Sequence, residues 1–435
     1  MKFRWETEFK ETEIGEIPKD WEIRKLGELL KSLESGKRPK GGALAHNPNG
    51  ILSIGGENIN WDGSLDLSEC LRFDENFYKK LKKGRIEQGD ILLVKDGATI
   101  GKLAYIKEAP EGKAMVNEHV FLLKSNNSKT YSRFLFYFLF SEIGQQQIES
   151  SISGSAQGGI NKSIKDNILV FYPPLPEQSR IATVLSYFDD LIEVKKRQNE
   201  ILEKTAMAIF KSWFIDFEPF KDGEFVYNEE LGKEIPKGWA VKRLGEVVKI
   251  ESGGSAPQKE EYFIGGKNPF VRVKHLTNYP CVEEADFIND EAVEQYNLKL
   301  YNEGSIIFQR SGESLSFGRV NILPFNAYIV NHLAVIPNLP SNKLLMEFLF
   351  FTLKNILIEL IEERSGTALP YIRISDIEKK EILLPPPHIL QSFHSLVEPL
   401  FQKIILNQKQ IMTLRKIRDT LLPLLVFGKL RIEKV

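Results

Sequence analysis

Two loops that begin with a Ser-Gly pair carry the side chains of this sequence best suited to binding chemistry. They are SGKRPKGG at residues 35–42 and SGGSAPQKEEYF at residues 252–263. Lysine and arginine bind phosphate oxygens, whereas hydroxyl and amide groups can hydrogen-bond to the edges of bases. The candidate contact residues in the two loops are Lys37, Arg38, Lys40, Ser255, Gln258 and Lys259. For each of them, an ordinary solvated surface position is the alternative interpretation.

Further positions in the two halves of the chain extend this set. Lys95 and Arg310 each stand just after a short apolar run, ILLV or SIIF. Two more loops, SGSAQGGINKS at residues 153–163 and SGTALPYIRIS at residues 365–375, contribute Gln157, Asn161, Lys162, Tyr371 and Arg373. Different side chains on corresponding loops are expected of two sites that bind different sequences.

The densest basic run, KKLKKGR at residues 79–85, allows two interpretations. Its lysines could bind phosphate groups. They could also form the exposed face and end of a helix that is capped by Gly84. The run alone does not decide between them.

Two segments that resemble catalytic or cofactor-binding motifs lack the residues on which those motifs depend. GATIGKL at residues 97–103 has three residues between its glycines instead of four, and Leu103 replaces the Ser or Thr of a phosphate-binding loop. FYPPL at residues 171–175 has Tyr172 where an amino methyltransferase has Asn or Asp. The histidines show no metal-ligand spacing. We therefore expect a chain that is not itself an enzyme and that holds no metal or cofactor.

Composition is that of a globular protein with two or more domains. The 435 residues are 42% apolar and 27% charged, with a formal net charge of −1, so a nucleic-acid surface would have to be a local patch. Two cysteines, Cys70 and Cys281, cannot form a disulfide framework, which favours a reducing cytoplasm. The N-terminus has no apolar segment typical of a signal peptide. The most apolar stretch, residues 344–361, contains three charged residues, so we expect a buried helix there.

The elements that must position these loops occur twice. EIPKDWEIRKLGE at residues 16–28 returns as EIPKGWAVKRLGE at residues 234–246, an offset of 218. Later matches, such as GDILLVKDG with GSIIFQRSG and YPPLP with LPPPH, have offsets that fall to 212. A duplicated domain that has lost a few loop residues explains this pattern.

Each half predicts the same mixed α/β (α+β) order. Short apolar runs between Gly, Asn and Asp predict strands and turns, and a short apolar helix, a Pro-rich segment and a long heptad-patterned helix follow. The two seams match at an offset of 212, and their apolar members are Ile181, Leu185, Phe188, Ile192, Leu202, Ile209, Phe393, Val397, Leu400, Ile404, Ile411, Leu414 and Leu421. Polar members, such as Asn199 and Asn407, would set register and direction.

The short connection between the halves predicts that the two long helices pack antiparallel in a coiled coil. About twenty residues separate the first helix from the second domain, and with parallel helices they would have to run back along the whole helix of roughly 50 Å, whereas connections are usually short and local. The predicted segments are a domain at 1–172, a helix at 173–217, a domain at 218–384 and a helix at 385–435. This order implies a pseudo-two-fold axis and brings the C-terminus close to the N-terminus.

The duplicated EIPKxW…LGE motif, the GDIL strand, PPLPEQSRIA and the two helices together resemble the DNA specificity subunit of type I restriction–modification systems. The resemblance covers about residues 14–432 and implies two target-recognition domains, each reading one half of a split double-stranded DNA sequence. It also implies helices that space the halves and bind two methyltransferase subunits, which recruit restriction subunits. S-adenosylmethionine, magnesium and ATP would then be on those partners.

One departure from the family pattern concerns the partner surfaces. The second copy has PPPHIL at residues 385–390 where the first has PPLPEQ at residues 173–178. The loss of the Glu-Gln pair raises the question whether the two partner surfaces are equivalent. A coiled-coil adaptor with two protein-binding heads is the alternative function, and a self-contained nuclease or methyltransferase is disfavoured by the missing motifs.

Overall fold

The computed structural model of this chain describes residues 2–153, 158–277, 279–311, 315, 318–339, 346–363 and 371–433. The chain divides into two compact units. Unit 1 comprises residues 1–189 and 416–435, and unit 2 comprises residues 190–415. No described helix is long and apolar enough to cross a membrane. Gln157 lies outside the described residues.

The first half of the chain forms short strands and helices that end in one long helix. The strands are β1 (Lys2–Trp5), β2 (Phe9–Lys10), β3 (Ile17–Pro18), β4 (Glu22–Lys25), β5 (Leu30–Ser35), β6 (Ile51–Ile54), β7 (Arg72–Phe73), β8 (Ile91–Val94), β9 (Leu103–Tyr105), β10 (Ala114–Val116), β11 (Val120–Ser125), β12 (Ile152–Ser153), β13 (Gly159–Ile160) and β14 (Leu169–Tyr172). The helices are α1 (Leu26–Leu29), α2 (Glu75–Lys80), α3 (Ser132–Phe140), α4 (Glu142–Ser150), α5 (Ile164–Asn167) and α6 (Leu175–Phe214).

The second half repeats this order. Its strands are β15 (Phe225–Asn228), β16 (Lys233–Pro236), β17 (Ala240–Arg243), β18 (Glu251–Ser252), β19 (Asn268–Val271), β20 (Asp286–Ile288), β21 (Leu300–Tyr301), β22 (Ile306–Gln309), β23 (Val320–Ile322), β24 (Ala327–Ile329), β25 (Leu333–Ile336), β26 (Glu381–Leu384) and β27 (Leu430–Glu433). The helices are α7 (Leu244–Val247), α8 (Asp290–Gln295), α9 (Met346–Glu363), α10 (Ile374–Glu378) and α11 (Pro387–Val426).

Sheet topology confirms the duplication that the sequence predicts. Unit 1 has an antiparallel sheet in the order β5-β11-β8-β9, and unit 2 has the matching order β18-β25-β22-β23. A second sheet contains one parallel pair in each unit, β6 with β10 and β19 with β24. The motif strands also correspond, because β4 pairs with β14 and β17 pairs with β26. The mixed class is therefore confirmed.

A turn that starts at proline explains why tryptophan follows proline by three residues in both copies. The Trp21 amide donates to the Pro18 carbonyl oxygen at 3.0 Å, and the Trp239 amide donates to that of Pro236 at 3.2 Å. Each indole then packs into the apolar core of its own unit. The two residues between proline and tryptophan set the turn conformation, which brings the proline carbonyl and the tryptophan amide together.

The two long helices, each of 40 residues, run antiparallel. In unit 2, Lys195 Nζ donates to Gln410 Oε1 at 2.5 Å and Asn407 Nδ2 donates to Asn199 Oδ1 at 2.9 Å. Residue numbers thus rise along α6 while they fall along α11. The chain ends of unit 1 also meet as predicted, because β1 pairs antiparallel with β27.

Burial along these helices follows the predicted seam with a local shift. Ile181, Leu185, Ile192, Phe393, Val397, Ile404 and Ile411 are buried, whereas Phe188, Leu202, Ile209, Leu400, Leu414 and Leu421 are half-buried. Phe210 and Phe401, each one residue beyond the predicted position, are buried instead. An α-helix drifts by about 20° per heptad relative to a strict seven-residue repeat, which accounts for the displacement.

The Asn199–Asn407 pair provides a test of register in the helix pair. Both side chains are buried, at 2% and 0% exposure. Asn407→Leu should lower the free energy of unfolding by about 1–3 kcal/mol, because it leaves the buried Asn199 amide without its partner. The double variant Asn199→Leu/Asn407→Leu should recover this loss in chemical denaturation. A double variant as unstable as the single one would contradict the assigned role.

The Glu-Gln pair of the first PPLPEQ segment has an internal role. Gln178 is fully buried, and its Oε1 accepts hydrogen bonds from Thr130 Oγ1 at 3.0 Å and the Tyr131 amide at 2.9 Å. Glu177 is 3% exposed. At the aligned positions of the other copy, Ile389 and Leu390 pack against the core of unit 2. The departure of the second copy therefore changes the core, and the Glu-Gln pair itself is not part of an exposed partner surface.

Glu177 belongs to an ion network that joins the two chain ends within unit 1. Arg431 Nε and Nη2 donate to its two carboxylate oxygens at 2.5 and 2.8 Å. The same guanidinium donates to Glu6 at 2.6 Å and to Asp20 at 2.8 and 3.0 Å. Trp21 lies beside it, with the ring centroid 5.5 Å from the guanidinium carbon. In unit 2, aromatic contacts surround Trp239 instead.

Candidate nucleic-acid interface

The Ser-Gly start of each candidate loop is a place where two backbones come very close. A β-carbon on Gly36 would lie 1.7 Å from the Val116 carbonyl oxygen, and one on Gly253 would lie 2.3 Å from that of Val330. Val116 and Val330 end or follow the corresponding strands β10 and β24. Only glycine allows the loop to leave its strand along this path. The two loops therefore start at equivalent backbone positions in the two units.

Gly36→Ala should displace the loop and lower the free energy of unfolding by roughly 3 kcal/mol, because a backbone oxygen cannot move aside as a flexible side chain can. Chemical denaturation would measure the loss. Gly159→Ala is the matched control, because a β-carbon there meets its nearest neighbour at 3.7 Å. Equal stability of Gly36→Ala and the wild type would contradict the close approach.

The first loop presents two exposed lysines, Lys37 and Lys40. Neither forms an ion pair with any residue in the described part of the chain. Arg38 is different, because its Nε lies 3.2 Å from Glu118 Oε1. The geometry therefore leaves the two lysines available to an anion and ties the arginine to its own unit.

Tertiary contacts add the basic run at residues 79–85 to this surface. The Gly84 amide donates to Glu34 Oε2 at 2.7 Å, and a β-carbon on Gly84 would lie 3.0 Å from the Gly36 α-carbon. Lys82 and Lys83 precede Gly84 and are exposed. The backbone of the basic run thus lies beside the start of the first loop, and four lysines can act together.

The helix-end interpretation is wrong about Gly84, because α2 ends at Lys80 with Leu81 as its C-cap, but one member of the run does cap this helix. Arg85 Nε and Nη2 donate to the carbonyl oxygens of Tyr78 and Lys79, at 3.2 and 2.7 Å. These carbonyls belong to the last turn of α2, which has no further helical turn to pair with them. Arg85 therefore caps α2, while Lys82 and Lys83 face solvent.

Unit 2 presents different chemistry on the corresponding loop. Ser255, Gln258 and Lys259 are exposed. Gln258 Nε2 donates to the Ala256 carbonyl oxygen at 3.0 Å, and Lys259 Nζ lies 3.0 Å from Glu261. The segment equivalent to the basic run is EQYNLKL at residues 294–300, whose one lysine, Lys299, pairs with Glu251 at 2.5 Å. The basic patch of unit 1 is thus replaced by a more acidic and polar surface.

Lys95 and Arg310 occupy the same position in the two units. Their amides donate to the carbonyl oxygens of His119 and His332, at 3.0 and 3.2 Å. Lys95 Nζ pairs with Asp96 at 3.0 Å, and Arg310 Nη2 donates to the Asn331 carbonyl oxygen at 2.8 Å. Both cations are therefore bound within their own unit, so any contact with DNA would compete with these partners.

His119 and His332, which lie next to Lys95 and Arg310, are candidate DNA-contact residues that sequence reasoning missed. His119 Nδ1 lies 2.5 Å from Asp96 Oδ1, and His332 Nδ1 lies 2.9 Å from Ser311 Oγ. Burial would raise the pKa of the Asp96 carboxyl, but hydrogen bonds from Lys95 and His119 outweigh burial and lower that pKa. The signal was available, because VNEH and VNH place a histidine after the repeated Val-Asn pair in both halves.

The remaining predicted residues lie on the loop that follows each apolar helix. The amides of Ile160 and Ile372 donate to the carbonyl oxygens of Lys95 and Arg310, at 2.7 and 2.8 Å, so this loop reaches the same sheet edge in both units. Tyr371 covers the Arg310 guanidinium, with 5.5 Å from its carbon to the ring centroid. The fold thus brings these loops to the Lys95 and Arg310 positions in both units.

Three further side chains on these loops are exposed: Asn161, Lys162 and Arg373. Asn161 Oδ1 accepts a hydrogen bond from the Ser163 amide at 2.8 Å, in a turn that leads into α5. Arg373 directly precedes α10. Lys162 and Arg373 can reach an anion, whereas the oxygen of the Asn161 amide is already engaged.

The described residues contain no group of three or more His, Cys, Asp or Glu side chains that could hold a metal ion. The two cysteines are buried and free. Burial raises the pKa of the Cys70 thiol to about 11 and also raises that of Cys281. A thiol with a raised pKa is a poor nucleophile at neutral pH.

Comparisons with known proteins agree with this architecture. Residues 18–204 and 236–416 match the family described as the type I restriction modification DNA specificity domain. The chain is 48% identical over 443 residues to the type I restriction enzyme MjaIX specificity subunit of Methanocaldococcus jannaschii, with 100% of this chain and 99% of that protein covered. It is 22% identical over 409 residues to the HindI specificity subunit of Haemophilus influenzae, with 80% and 88% covered.

A solved structure shares the fold. The type I restriction–modification S subunit from M. genitalium aligns with a TM-score of 0.52 at 18% identity, covering 95% of this chain and 97% of that one. The family match extends over both copies of the repeat. The chain therefore belongs to the type I restriction–modification DNA specificity family and is a specificity subunit of such a system.

Proposed function

We propose that each unit reads one half of a split double-stranded DNA sequence. The observation that carries this proposal is the pair of loops that leave equivalent strands at Gly36 and Gly253. The two loops start at equivalent backbone positions, but the loop of unit 1 carries exposed lysines and the loop of unit 2 carries Ser255, Gln258 and Lys259. Phosphate contacts position a protein on DNA, and side chains at base edges specify the sequence. Different side chains on loops with equivalent backbone starts suit two different half-sites.

Helices α6 and α11 are proposed to set the spacing between the half-sites and to bind two methyltransferase subunits. Leu191, Val194 and Ile201 support the second role, because they are 47%, 50% and 64% exposed on α6. Their steps of three and seven residues place them on one helical face. Exposed apolar side chains on one face are typical of a surface that a protein partner covers.

Chemistry is proposed to reside on the partners. S-adenosylmethionine would bind to the methyltransferase subunits, and ATP and magnesium would serve the restriction subunits that join them. Because the target is the cell's own DNA, we place the complex in the cytoplasm. The residues of this chain would position DNA and partners.

Reconstitution with two methyltransferase subunits, followed by mapping of methylated adenines, tests the proposal. We expect methylation at one split sequence with a fixed spacer. A hybrid in which unit 2 comes from the MjaIX relative should change one half of that sequence and keep the other. Assembly of the complex without methylation at any split site would favour the coiled-coil adaptor function instead.

A further inference from the structure

Two aliphatic side chains are far more exposed than their chemistry favours. Leu44 is 96% exposed and Ile264 is 74% exposed, the highest values for large apolar side chains in the described part of the chain. Single exposed apolar residues are common on proteins and need no explanation by themselves. A second observation is that Leu44 and Ile264 lie on corresponding loops of the two copies of the repeat.

Leu44 and Ile264 lie on equivalent loops. Leu44 lies between β5 and β6, and Ile264 lies between β18 and β19. These are the loops that start at Gly36 and Gly253 and that carry the candidate DNA contacts. The offset of 217 between Gly36 and Gly253 aligns Leu44 with Glu261, so the two aliphatic residues are not at matching positions. What the two divergent loops share is that each carries one highly exposed aliphatic side chain.

Both side chains are held on hydrogen-bonded turns. The Leu44 amide donates to the Gly41 carbonyl oxygen at 3.1 Å, and the His46 amide donates to that of Ala43 at 3.1 Å. Around Ile264, the Phe263 amide donates to the Glu260 carbonyl oxygen at 2.9 Å, and the Gly266 amide donates to the Phe263 carbonyl oxygen at 3.3 Å. Less conformational entropy is lost on binding when a contact residue is already fixed in this way.

Charge around the two tips favours DNA over a protein partner. Lys37 and Lys40 are exposed on the loop of Leu44. Beside Ile264, Lys267 is exposed and forms no ion pair among the described residues, whereas Lys259 pairs with Glu261 and Glu260 is also exposed. A protein interface would call for a contiguous apolar patch with few charges at its centre. A lone aliphatic side chain with an unpaired lysine nearby instead fits a duplex, whose phosphates bind the lysine while the apolar side chain enters between bases.

We propose that Leu44 and Ile264 act as wedges, each of which enters the DNA and unstacks one base step in its own half-site. This inference rests on the proposed reading of a split DNA sequence. Insertion of Leu or Ile between base pairs opens the step and kinks the duplex. The half-site then also depends on how easily its sequence deforms, which adds specificity without a hydrogen bond.

The test uses the complex with two methyltransferase subunits and a duplex that carries the mapped methylation site. 2-Aminopurine, which pairs with thymine, replaces one adenine at a time on either strand, except the methylated adenines, because methyltransferases extrude their target base. Its fluorescence rises where stacking is lost. We expect one bright step in each half-site with the wild-type chain. Leu44→Ala should abolish one of them and Ile264→Ala the other.

Each alanine variant should also bind about 10-fold more weakly, or about 1.4 kcal/mol. The slope of affinity against salt should stay unchanged, since no phosphate contact is lost. Leu44→Met should retain the bright step. Tyr227→Ala, which removes a side chain that is 67% exposed on β15, should change nothing.

Three outcomes would overturn the inference. One is an unchanged fluorescence pattern in both alanine variants. Another is a loss of affinity with stacking unaltered, which would indicate contact with a thymine methyl group in the major groove. The third is failure of the variants to assemble with methyltransferase subunits in the absence of DNA, which would assign the tips to a protein partner. Failure of the proposed function would give a different result from these three outcomes, because the wild-type complex would then methylate no split site.

Discussion

Replacement of Arg431 by alanine is expected to lower the free energy of unfolding of unit 1 by about 3–5 kcal/mol. The side chains of Arg431, Glu177 and Glu6 are 10%, 4% and 7% exposed. Removal of the guanidinium would leave the buried Glu177 carboxylate without its cation and Glu6 with Arg4 alone, at 3.4 Å. An uncompensated buried charge is among the most costly defects in a protein. Chemical denaturation followed by tryptophan fluorescence, to which Trp21 beside Arg431 contributes, measures the loss.

The network should also make unit 1 sensitive to acid. Burial would raise the pKa of the Glu6 carboxyl, but hydrogen bonds from the Thr7 and Glu8 amides, Arg4 and Arg431 outweigh burial and lower it to about 2. Hydrogen bonds from Arg431 likewise lower the pKa of Asp20. A lowered folded-state pKa stabilises the fold above the unfolded value, near 4.5 for Glu6, and this stabilisation is lost as pH falls towards 2. Arg431→Ala should weaken this dependence on pH.

Unit 2 suggests the control for this prediction. It has Ile389 at the position of Glu177 and aromatic contacts around Trp239, so an apolar solution to the same packing problem exists in the same chain. The double variant Glu177→Leu/Arg431→Met should recover part of the stability, because it replaces both partners of the Glu177–Arg431 pair with apolar side chains while Glu6 keeps Arg4. Arg4→Ala, with an arginine side chain 47% exposed, should cost little. An Arg431→Ala loss no larger than that of Arg4→Ala would contradict the prediction.

Replacement of Lys37, Lys40, Lys82 and Lys83 together by alanine is expected to weaken DNA binding by the assembled complex strongly. Each phosphate contact changes the slope of log affinity against log salt concentration by about 0.9, so four contacts change it by about 3.6. At about 0.15 M salt this corresponds to a loss on the order of 1,000-fold relative to the wild type. Titration of labelled duplex at several salt concentrations gives both quantities.

The loss should be nearly equal for the methylated target and for unrelated DNA, because phosphate contacts carry no sequence information. The matched control replaces Lys10, Lys19, Lys25 and Lys129, exposed lysines elsewhere in unit 1, and makes the same change in net charge. If the two quadruple variants bind alike, only long-range charge matters and the lysine patch is not a phosphate site. A slope that changes by fewer than about two units would show that at most two of the lysines contact phosphate.

Local pattern was enough to determine the architecture. The repeated motifs, the alternation of short strands with turns and the heptad seams are properties of neighbouring residues, and each predicted its element. The antiparallel direction of α6 and α11 followed from the short connection between the halves, and the pairing of β1 with β27 confirmed where the chain ends meet. The positions of the candidate loops at Gly36 and Gly253 were likewise visible in the sequence, because each begins with the same Ser-Gly pair.

Tertiary structure decided which side chains act together. Lys82 and Lys83 are more than forty residues from Lys37 in sequence, and only the packing of Gly84 on Gly36 brings these cations to one surface. Lys95 and Arg310 were predicted as contacts, yet the fold supplies each with internal partners. Arg431 meets Glu177, Glu6 and Asp20 because strand pairing returns the C-terminus to the N-terminal segment. Spacing along a chain encodes helices, strands and turns, but contacts between distant segments depend on strand pairing and on where glycine lets two backbones meet.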